Sequence, residues 1–325
     1  MSKPRPIAPP LNHGYAIALA SAAILSLTGI FIRHLTETYR LPALVLAVWR
    51  DAFVVLTLLP ILGLVRPALM RIERRHLPFL IGYGFVLAVF NALWTLSVAL
   101  NGAAVATVLV YCSAAFTALL ARWLLNEPLT LPKLAAVVLI LAGCVMVSDA
   151  LNAAAWTLNP VGLLSGILSG LGYAAYSLMG RTASERGLNP WTSLLYTFGG
   201  AALFLILFNF FPGPLIPGTI DRPADFFWLG KAWSGWGILL LLAAGPTLAG
   251  FGLYNVSLRL LPASIANLIV SSEPVFTALI AYAWLEERLT WLQIGGSLLI
   301  LSGVLLLRFY EARPGRAAPS PVSQP

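Results

Sequence analysis

The sequence predicts an all-α polytopic membrane protein, with ten transmembrane helices arranged as two inverted five-helix repeats. Composition is the first observation behind this. Of 325 residues, 59% are hydrophobic and 10% charged, and the mean hydropathy is +0.86. A water-soluble domain carries about a quarter charged residues, so most of this chain must face lipid. The second observation is the recurrence of apolar runs near the ~20 residues that a bilayer-crossing helix needs. The third is that the two halves of the chain repeat one another.

The elements follow in order. Residues 1–13 are polar and proline-rich and read as a disordered tail. The first span, 14–32, is longer than a signal-peptide core and reads as uncleaved; it contains Ser-Leu-Thr-Gly at 26–29. The second, 42–64, carries Arg50 nine residues in, with Asp51 behind it. Helical neighbours point ~100° apart, so these two are not expected to share a face. The third, 77–98, holds Asn91 and Trp94, and the fourth, 103–125, holds Tyr111. The fifth is 132–149. The sixth, 160–180, presents Gly162, Gly166, Gly170 and Ala174 every four residues, a stripe that lets helices approach closely, together with Tyr173 and Tyr176. The seventh is 190–211, and a Pro/Gly-rich loop, 212–234, follows it. The eighth, 235–258, contains Gly245-Pro246, an expected kink and candidate hinge, then Tyr254 and Asn255. The ninth, 263–285, carries Ser271, Ser272, Glu273 and Pro274 at its centre. The tenth is 290–308, and 309–325 reads as a second disordered tail.

Lys and Arg set orientation. With a cytoplasmic N-terminus, 14 basic residues fall inside and five outside, with Arg50 assigned to neither. The bias places both termini in the cytoplasm of a multi-pass cell-membrane protein.

Aligned at an offset of 160, residues 104–145 and 264–305 share 15 identities in 42 positions. Phe116-Thr117-Ala118-Leu119 meets Phe276-Thr277-Ala278-Leu279; Glu127, Thr130 and Gly143 meet Glu287, Thr290 and Gly303. The starts align at an offset of 148, where Arg33, Glu37 and Pro42 meet Arg181, Glu185 and Pro190. The 12-residue difference falls in the loop at 212–234. Each repeat, 14–149 and 160–308, therefore holds five spans. An odd number inverts the second repeat, an arrangement that many secondary transporters use, with the substrate site near the midplane.

The motifs of the second half, aromatic-x-x-Ser before Leu-Pro-Ala-Ser, then Glu273-Pro274-Val275-Phe276, Glu-x-Leu-Thr and Gly-x-x-Leu-Ile-Leu-x-Gly, resemble EamA-type members of the drug/metabolite transporter superfamily. "VWRDAF" resembles the family's Arg in the second span, whereas "SLTG" replaces the family's usual Trp-Gly or Trp-Ser in the first. The resemblance covers about 14–308. It implies ten helices around a central cavity and movement of small metabolites, often outward.

Glu273 leads the candidate substrate-binding residues. A charge at the bilayer centre costs at least ~2.5 kcal/mol and faces a cavity or a partner. Pro274 removes a backbone donor, which leaves a carbonyl near residue 270 for substrate or water and makes Pro274, with Gly245 and Pro246, a candidate hinge. Ser271 and Ser272 belong to the same polar point. Arg50 either pairs with Glu273, holds a substrate carboxylate through two parallel hydrogen bonds, or snorkels outward. Asn91, Trp94, Tyr111, Tyr173, Tyr176, Tyr254 and Asn255 suit the wall of a site for an amphipathic organic ligand, and packing is the competing reading. Glu127 and Glu287 read as boundary residues solvated at opposite faces. Cys112 and Cys144 read as small buried hydrophobes.

The favoured class is a secondary transporter of a small organic metabolite, an amino acid or an amphipathic compound, in the direction of export. Its partners are the bilayer and the small molecule, with proton coupling at Glu273 or facilitated diffusion as the driving arrangement. No cofactor or metal is expected. The net charge of +8 is spread over short loops, which does not suit nucleic acid. An intramembrane enzyme needs a cluster of His and acids, and His13, His34 and His76 are scattered. An ATP-driven pump needs a P-loop, and there is none. A non-transporting membrane sensor leaves the inverted repeat unexplained. The chain is expected to be a monomer, or a homodimer packed on the small-residue stripe.

Overall fold

The computed structural model describes residues 11–147, 159–210, 218–220, 222–284 and 290–311. The outer parts of both expected tails, residues 212–217, Glu287 and Arg288 lie outside the described residues. Regular structure among the described residues is all helical. The helices are α1 (Leu11–Leu25), α2 (Leu27–Thr38), α3 (Ala43–Val65), α4 (Leu77–Tyr111), α5 (Ser113–Leu124), α6 (Leu131–Val147), α7 (Pro160–Glu185), α8 (Pro190–Phe210), α9 (Trp233–Leu242), α10 (Leu248–Leu260), α11 (Ala263–Val270), α12 (Glu273–Trp284) and α13 (Trp291–Glu311). Among these residues nine stretches are long and apolar enough to cross a membrane, and the fifth expected span appears as the shorter apolar helix Leu131–Val147. Helix begins at Leu11 and continues to Glu311, so both ends reach further into the expected tails than composition suggests.

Local chemistry starts these helices. Asn159 caps α7, its Oδ1 accepting from the N–H of Val161 and Gly162, and Pro160 fills the first turn, where no donor is needed. Asn189 accepts from Trp191 N–H ahead of α8 in the same way. The first and sixth spans are equal in length, His13–Thr38 and Pro160–Glu185. Each ends in an i,i+4 ion pair at symmetry-related positions, Arg33–Glu37 at 3.0 Å and Arg181–Glu185 at 2.9 Å. These pairs carry the first span past residue 32, where hydropathy alone ends it.

Helix α4 is continuous from Leu77 to Tyr111, where the sequence predicts a loop after residue 98. Its two ends are nevertheless separate spans. A Cβ on Gly166 of α7 would meet Ser97 Oγ at 2.6 Å and Leu109 Cδ1 at 2.5 Å. Twelve residues of straight helix rise about 18 Å, so the element folds back between these two contacts. The glycine stripe of α7 is the surface on which it folds: Gly170 faces the Leu109 carbonyl and Ser113 N, and Gly172 faces Phe90. The stripe is thus used inside the molecule, as packing.

The inverted repeat is visible where the fifth and tenth spans meet. Gly143 of α6 abuts Gly296 of α13, and Gly303 of α13 abuts Ala136 of α6. Across the repeat Gly303 is the counterpart of Gly143 and Gly296 of Ala136, so one contact is made twice in reciprocal fashion, as a two-fold axis requires. A Cβ on Gly143 would lie 2.5 Å from the Gly296 carbonyl and 3.0 Å from Ile300 N, whereas one on Gly295 meets only the flexible Met146 Cε at 3.3 Å. Gly143→Ala is expected to destabilise by roughly 1–3 kcal/mol through overpacking against backbone, and Gly295→Ala to be near neutral. Thermal unfolding in detergent measures both, and equal melting temperatures for the two variants would contradict this packing.

The molecule is apolar outside and polar within. Leu64, Trp123, Leu131 and Trp291 are largely exposed, while Arg50, Asp51, Asn91, Asn255 and Asn267 are buried. Water would penalise such a surface, and lipid does not. In the loop 212–234 the described residues Ile220 and Leu229 are buried and Phe226 meets the bundle. Trp49 Nε1 donates to the Phe226 carbonyl at 2.8 Å, and the Trp49 ring contacts Phe53, Phe226, Phe227 and Trp236.

Candidate functional site

The fourth and ninth spans are both broken at mid-length, at equivalent positions. The fourth breaks at Cys112 (φ −55°, ψ −16°) between α4 and α5, and the ninth at Ser271 (φ −63°, ψ 0°) and Ser272 between α11 and α12. The ψ values depart from the helical −42° toward 3₁₀ geometry. The Ser271 and Ser272 hydroxyls close the end of α11, donating to the Asn267 and Ile269 carbonyls at 2.9 and 2.7 Å. Pro274 follows the break and sits in the first turn of α12, a place where its missing N–H costs nothing. This corrects its reading as the breaker: the first repeat breaks at Cys112 without any proline. Pro274→Ala is expected to keep the break and to cost only about 0.4–1 kcal/mol, through the freer unfolded chain, as a thermal melt would register.

The two breaks meet each other. Ser113, the counterpart of Glu273, donates to Asn267 Oδ1 at 3.3 Å. The Tyr111 side chain lies close to the Glu273 carboxylate. Cys144 Sγ contacts the Ser271 carbonyl at 3.6 Å. Each of these contacts joins one repeat to the other. Glu273 opens the first turn of α12, where the helix dipole favours a negative group.

A network of tyrosines and amides extends from the crossing. Asn267 Nδ2 donates to Ser177 Oγ at 3.1 Å and to the Tyr254 hydroxyl at 3.3 Å, and Ser177 Oγ and that hydroxyl are 2.6 Å apart. Asn255 Nδ2 donates to the Tyr176 hydroxyl at 2.9 Å, and the Tyr83 hydroxyl donates to Asn255 Oδ1 at 3.2 Å. Tyr173 stacks on Phe90 at 5.1 Å and packs on Tyr254 at 5.7 Å. Helices α4, α7, α10 and α11 supply these groups because each turns its few polar side chains inward, away from lipid.

Arg50 and Asp51 on α3 form a third group. Arg50 Nε donates to Asp51 Oδ1 at 3.1 Å, and Asn91 Nδ2 donates to Asp51 Oδ2 at 2.9 Å. Arg50 therefore pairs with its neighbour and not with Glu273. The helical 100° separates Cα–Cβ directions, but the long Arg side chain curls back far enough to bring its Nε to the carboxylate. Both residues are buried, Arg50 at 4% exposure and Asp51 at 0%. Among the described residues the Arg50 Nη atoms have no partner, since its hydrogen bond and its ion pair both use Nε. The central group thus keeps charged donors in reserve.

The structure brings together Arg50 with Asn91, Tyr111 with Glu273, and Tyr173, Tyr176, Tyr254 and Asn255 with one another. Trp94, the counterpart of Tyr254, packs against both the central core and a second apolar cluster that includes Leu46 and Leu239. Sequence reasoning missed Asp51, Tyr83, Ser177 and Asn267 as members. Ser264, Asn267 and Ser271 recur at helical spacing along one face of the ninth span, and that polar stripe was the available signal. The Gly245-Pro246 expectation takes the form of a π-helical turn at Ala243–Thr247, which locally widens the eighth span.

A family model described as the EamA-like transporter family matches residues 12–149 and again 160–309. Among curated proteins, an uncharacterized transporter of Synechocystis sp. is 28% identical over 237 residues, 72% of this chain and 67% of that protein. An uncharacterized transporter of Archaeoglobus fulgidus is 28% identical over 146 residues, 45% of this chain and 47% of that protein. A protein of Streptantibioticus cattleyicolor named "Probable terminal-alkyne amino-acid exporter" is 44% identical over 46 residues, 14% of this chain and 16% of that protein. One solved crystal structure superposes with a TM-score of 0.73 at 15% identity, covering 93% of this chain and 99% of that one, a likeness of fold.

Proposed function

Because the chain belongs to the EamA-like transporter family, we propose that this multi-pass membrane transporter exports a small organic metabolite, an amino acid or an amphipathic compound, by alternating access. The substrate sits at the midplane, where the broken fourth and ninth spans cross. Residues 14–149 and 160–308 are the two moving units, and both termini face the cytoplasm, as the Lys/Arg bias supports. One observation carries the reading: the buried Arg50 is linked through Asp51 to Asn91, and a buried network of tyrosines and amides drawn from both repeats lies within the same bundle. A guanidinium with its Nη edge free suits a carboxylate, and the buried tyrosines of the network suit an apolar body. Glu273 is the proposed proton carrier, and Pro274, Gly245 and Pro246 lie at the points that bend.

Thermal stabilisation of the purified protein by a panel of amino acids, purines, sugars and amphipathic amines tests this. Carboxylates with apolar bodies are expected to stabilise wild type, and Arg50→Lys, which keeps the charge without the planar fork, is expected to lose about tenfold or more in affinity, since one tenfold step is 1.4 kcal/mol. The best ligand is then followed in liposomes. A ligand that stabilises wild type and Arg50→Lys equally would move recognition away from Arg50.

A further inference from the structure

Glu127 and Lys133 belong to the first repeat, yet both are committed to the second. Helix α5 ends in a left-handed turn at Asn126 (φ +54°), with Leu125 N–H and Glu127 N–H both bonded to the Ala121 carbonyl at 3.0 Å. Asparagine tolerates that backbone conformation. The turn aims Glu127 at the start of α11. Its Oε1 accepts from Ala263 N–H at 2.6 Å and its Oε2 from Ser264 N–H at 3.3 Å; the Ser264 hydroxyl also donates to Oε2. Lys133, in the first turn of α6, donates to Ser264 Oγ at 3.2 Å and stands 3.8 Å from Glu127 Oε2. The side chains are 2% exposed for Lys133 and 11% for Glu127. This corrects the reading of Glu127 as a solvated boundary residue: it caps the other repeat's broken helix and is the counter-ion of a buried ammonium.

The corner that receives it is itself tied down. Arg181 Nη1 donates to the Leu258 and Leu261 carbonyls at 3.2 Å each, so α7, α10 and the start of α11 are held together by bonds within the second repeat. Glu127 and Lys133 thus tie the first repeat to an anchored edge of the second. Across the repeat, Glu127 corresponds to Glu287 but Lys133 corresponds to Gln293, so a formal ion pair is encoded on one side only.

We propose that Glu127 and Lys133 are gating residues: a one-sided latch, on the face that the Lys/Arg bias assigns to the cytoplasm, that holds this mouth shut between transport steps and makes the cytoplasm-closed form the resting state. The inference rests on the alternating-access reading. Opening this mouth moves α5 and α6 away from α11. Glu127 then loses the donors at Ala263 and Ser264, and the Lys133 ammonium loses a carboxylate and a hydroxyl in a poorly hydrated place. Substrate arriving from the cytoplasm must offset that loss, whereas opening to the other side leaves the latch untouched.

Distance measurements between spin labels at Arg122 and Arg259, exposed ends of α5 and α10, test this in a chain with Cys112 and Cys144 replaced. With Lys133 present, a single short distance is expected without ligand. Lys133→Met is expected to add a second, longer population, and Lys133→Arg to restore the single one. If Lys133→Met does not assemble, Glu127→Gln serves, because it keeps a carbonyl to cap α11 but removes the charge beneath Lys133. A distribution unchanged from wild type in whichever of these two variants is measured overturns the latch. That failure leaves the transport reading standing, since the latter is judged by liposome flux of wild type alone.

Discussion

Asp51→Leu is expected to destabilise the protein by about 3–5 kcal/mol, the cost of leaving a buried charge without its partner. Arg50→Leu is expected to cost a similar amount by stranding Asp51. The double variant, Arg50→Leu with Asp51→Leu, is expected to return to within about 1–2 kcal/mol of wild type, because a packed apolar pair commonly replaces a buried ion pair without loss. The basis is the geometry of α3: a 3.1 Å bond from Arg50 Nε, a 2.9 Å bond from Asn91, and almost no exposure of either charged residue. Thermal unfolding of the four proteins gives the coupling energy directly. Function should separate from stability. The double variant folds but is expected not to move the ligand, since the donors that face the substrate have gone. Additive losses in the cycle would show that Arg50 finds its compensation elsewhere, in lipid headgroups or water.

The fold was legible in the sequence because lipid imposes simple rules. Every span must hide its backbone in a helix, so runs of apolar residues could be counted; an odd number of spans per repeat then fixed the inversion. Finer geometry was less legible. Hydropathy placed a turn after residue 98, and the separate spans Arg74–Val98 and Val105–Leu124 agree with it, but it does not show that both ends then pack on the α7 glycines. Pro274 lies just past the break, in the first turn of α12, and the fourth span breaks at Cys112 without a proline. The shared cause is the repeat's architecture, which crosses the two broken spans; Ser271 and Ser272 bond carbonyls at the end of α11, and the Asn267 side chain meets Ser113, Ser177 and Tyr254. At the site, residue type revealed Glu273, Arg50 and the deep tyrosines, since each is costly in lipid unless partnered. The partners were hidden. Asp51 was set aside on helical angle alone, which ignores side-chain reach, and Glu127 was set aside for lying at a span end, although that end is where the repeats are tied together. In a membrane interior the position of a polar residue along its span says less than the identity of the helix it faces.

Glu273 makes the sharpest test of the crossing itself. Glu273→Gln is expected to lower transport on the order of 100-fold, about 2.8 kcal/mol at 1.4 kcal/mol per factor of ten, because it removes the acidic group where the broken spans cross. Folding stability should change far less, because the amide keeps the shape of the acid. Tyr111→Phe removes the hydroxyl close to the carboxylate while keeping the ring, and its expected loss is about tenfold, one step of 1.4 kcal/mol. Combining the two should give less than the product of the single losses, since they act on one contact. Liposome flux of the ligand identified by stabilisation measures all three. The repeat sharpens the meaning of the result. The first repeat places Ser113 where the second places Glu273, and Ser113 is already engaged by Asn267 at 3.3 Å. The acid is therefore not needed to hold the crossing together, because the equivalent half of the same junction is built without one. If Glu273→Gln transports as wild type does, the acid is only a second means of joining the repeats, and recognition must rest on Arg50 alone. If transport falls while the melting temperature holds, Glu273 acts on what passes through the crossing.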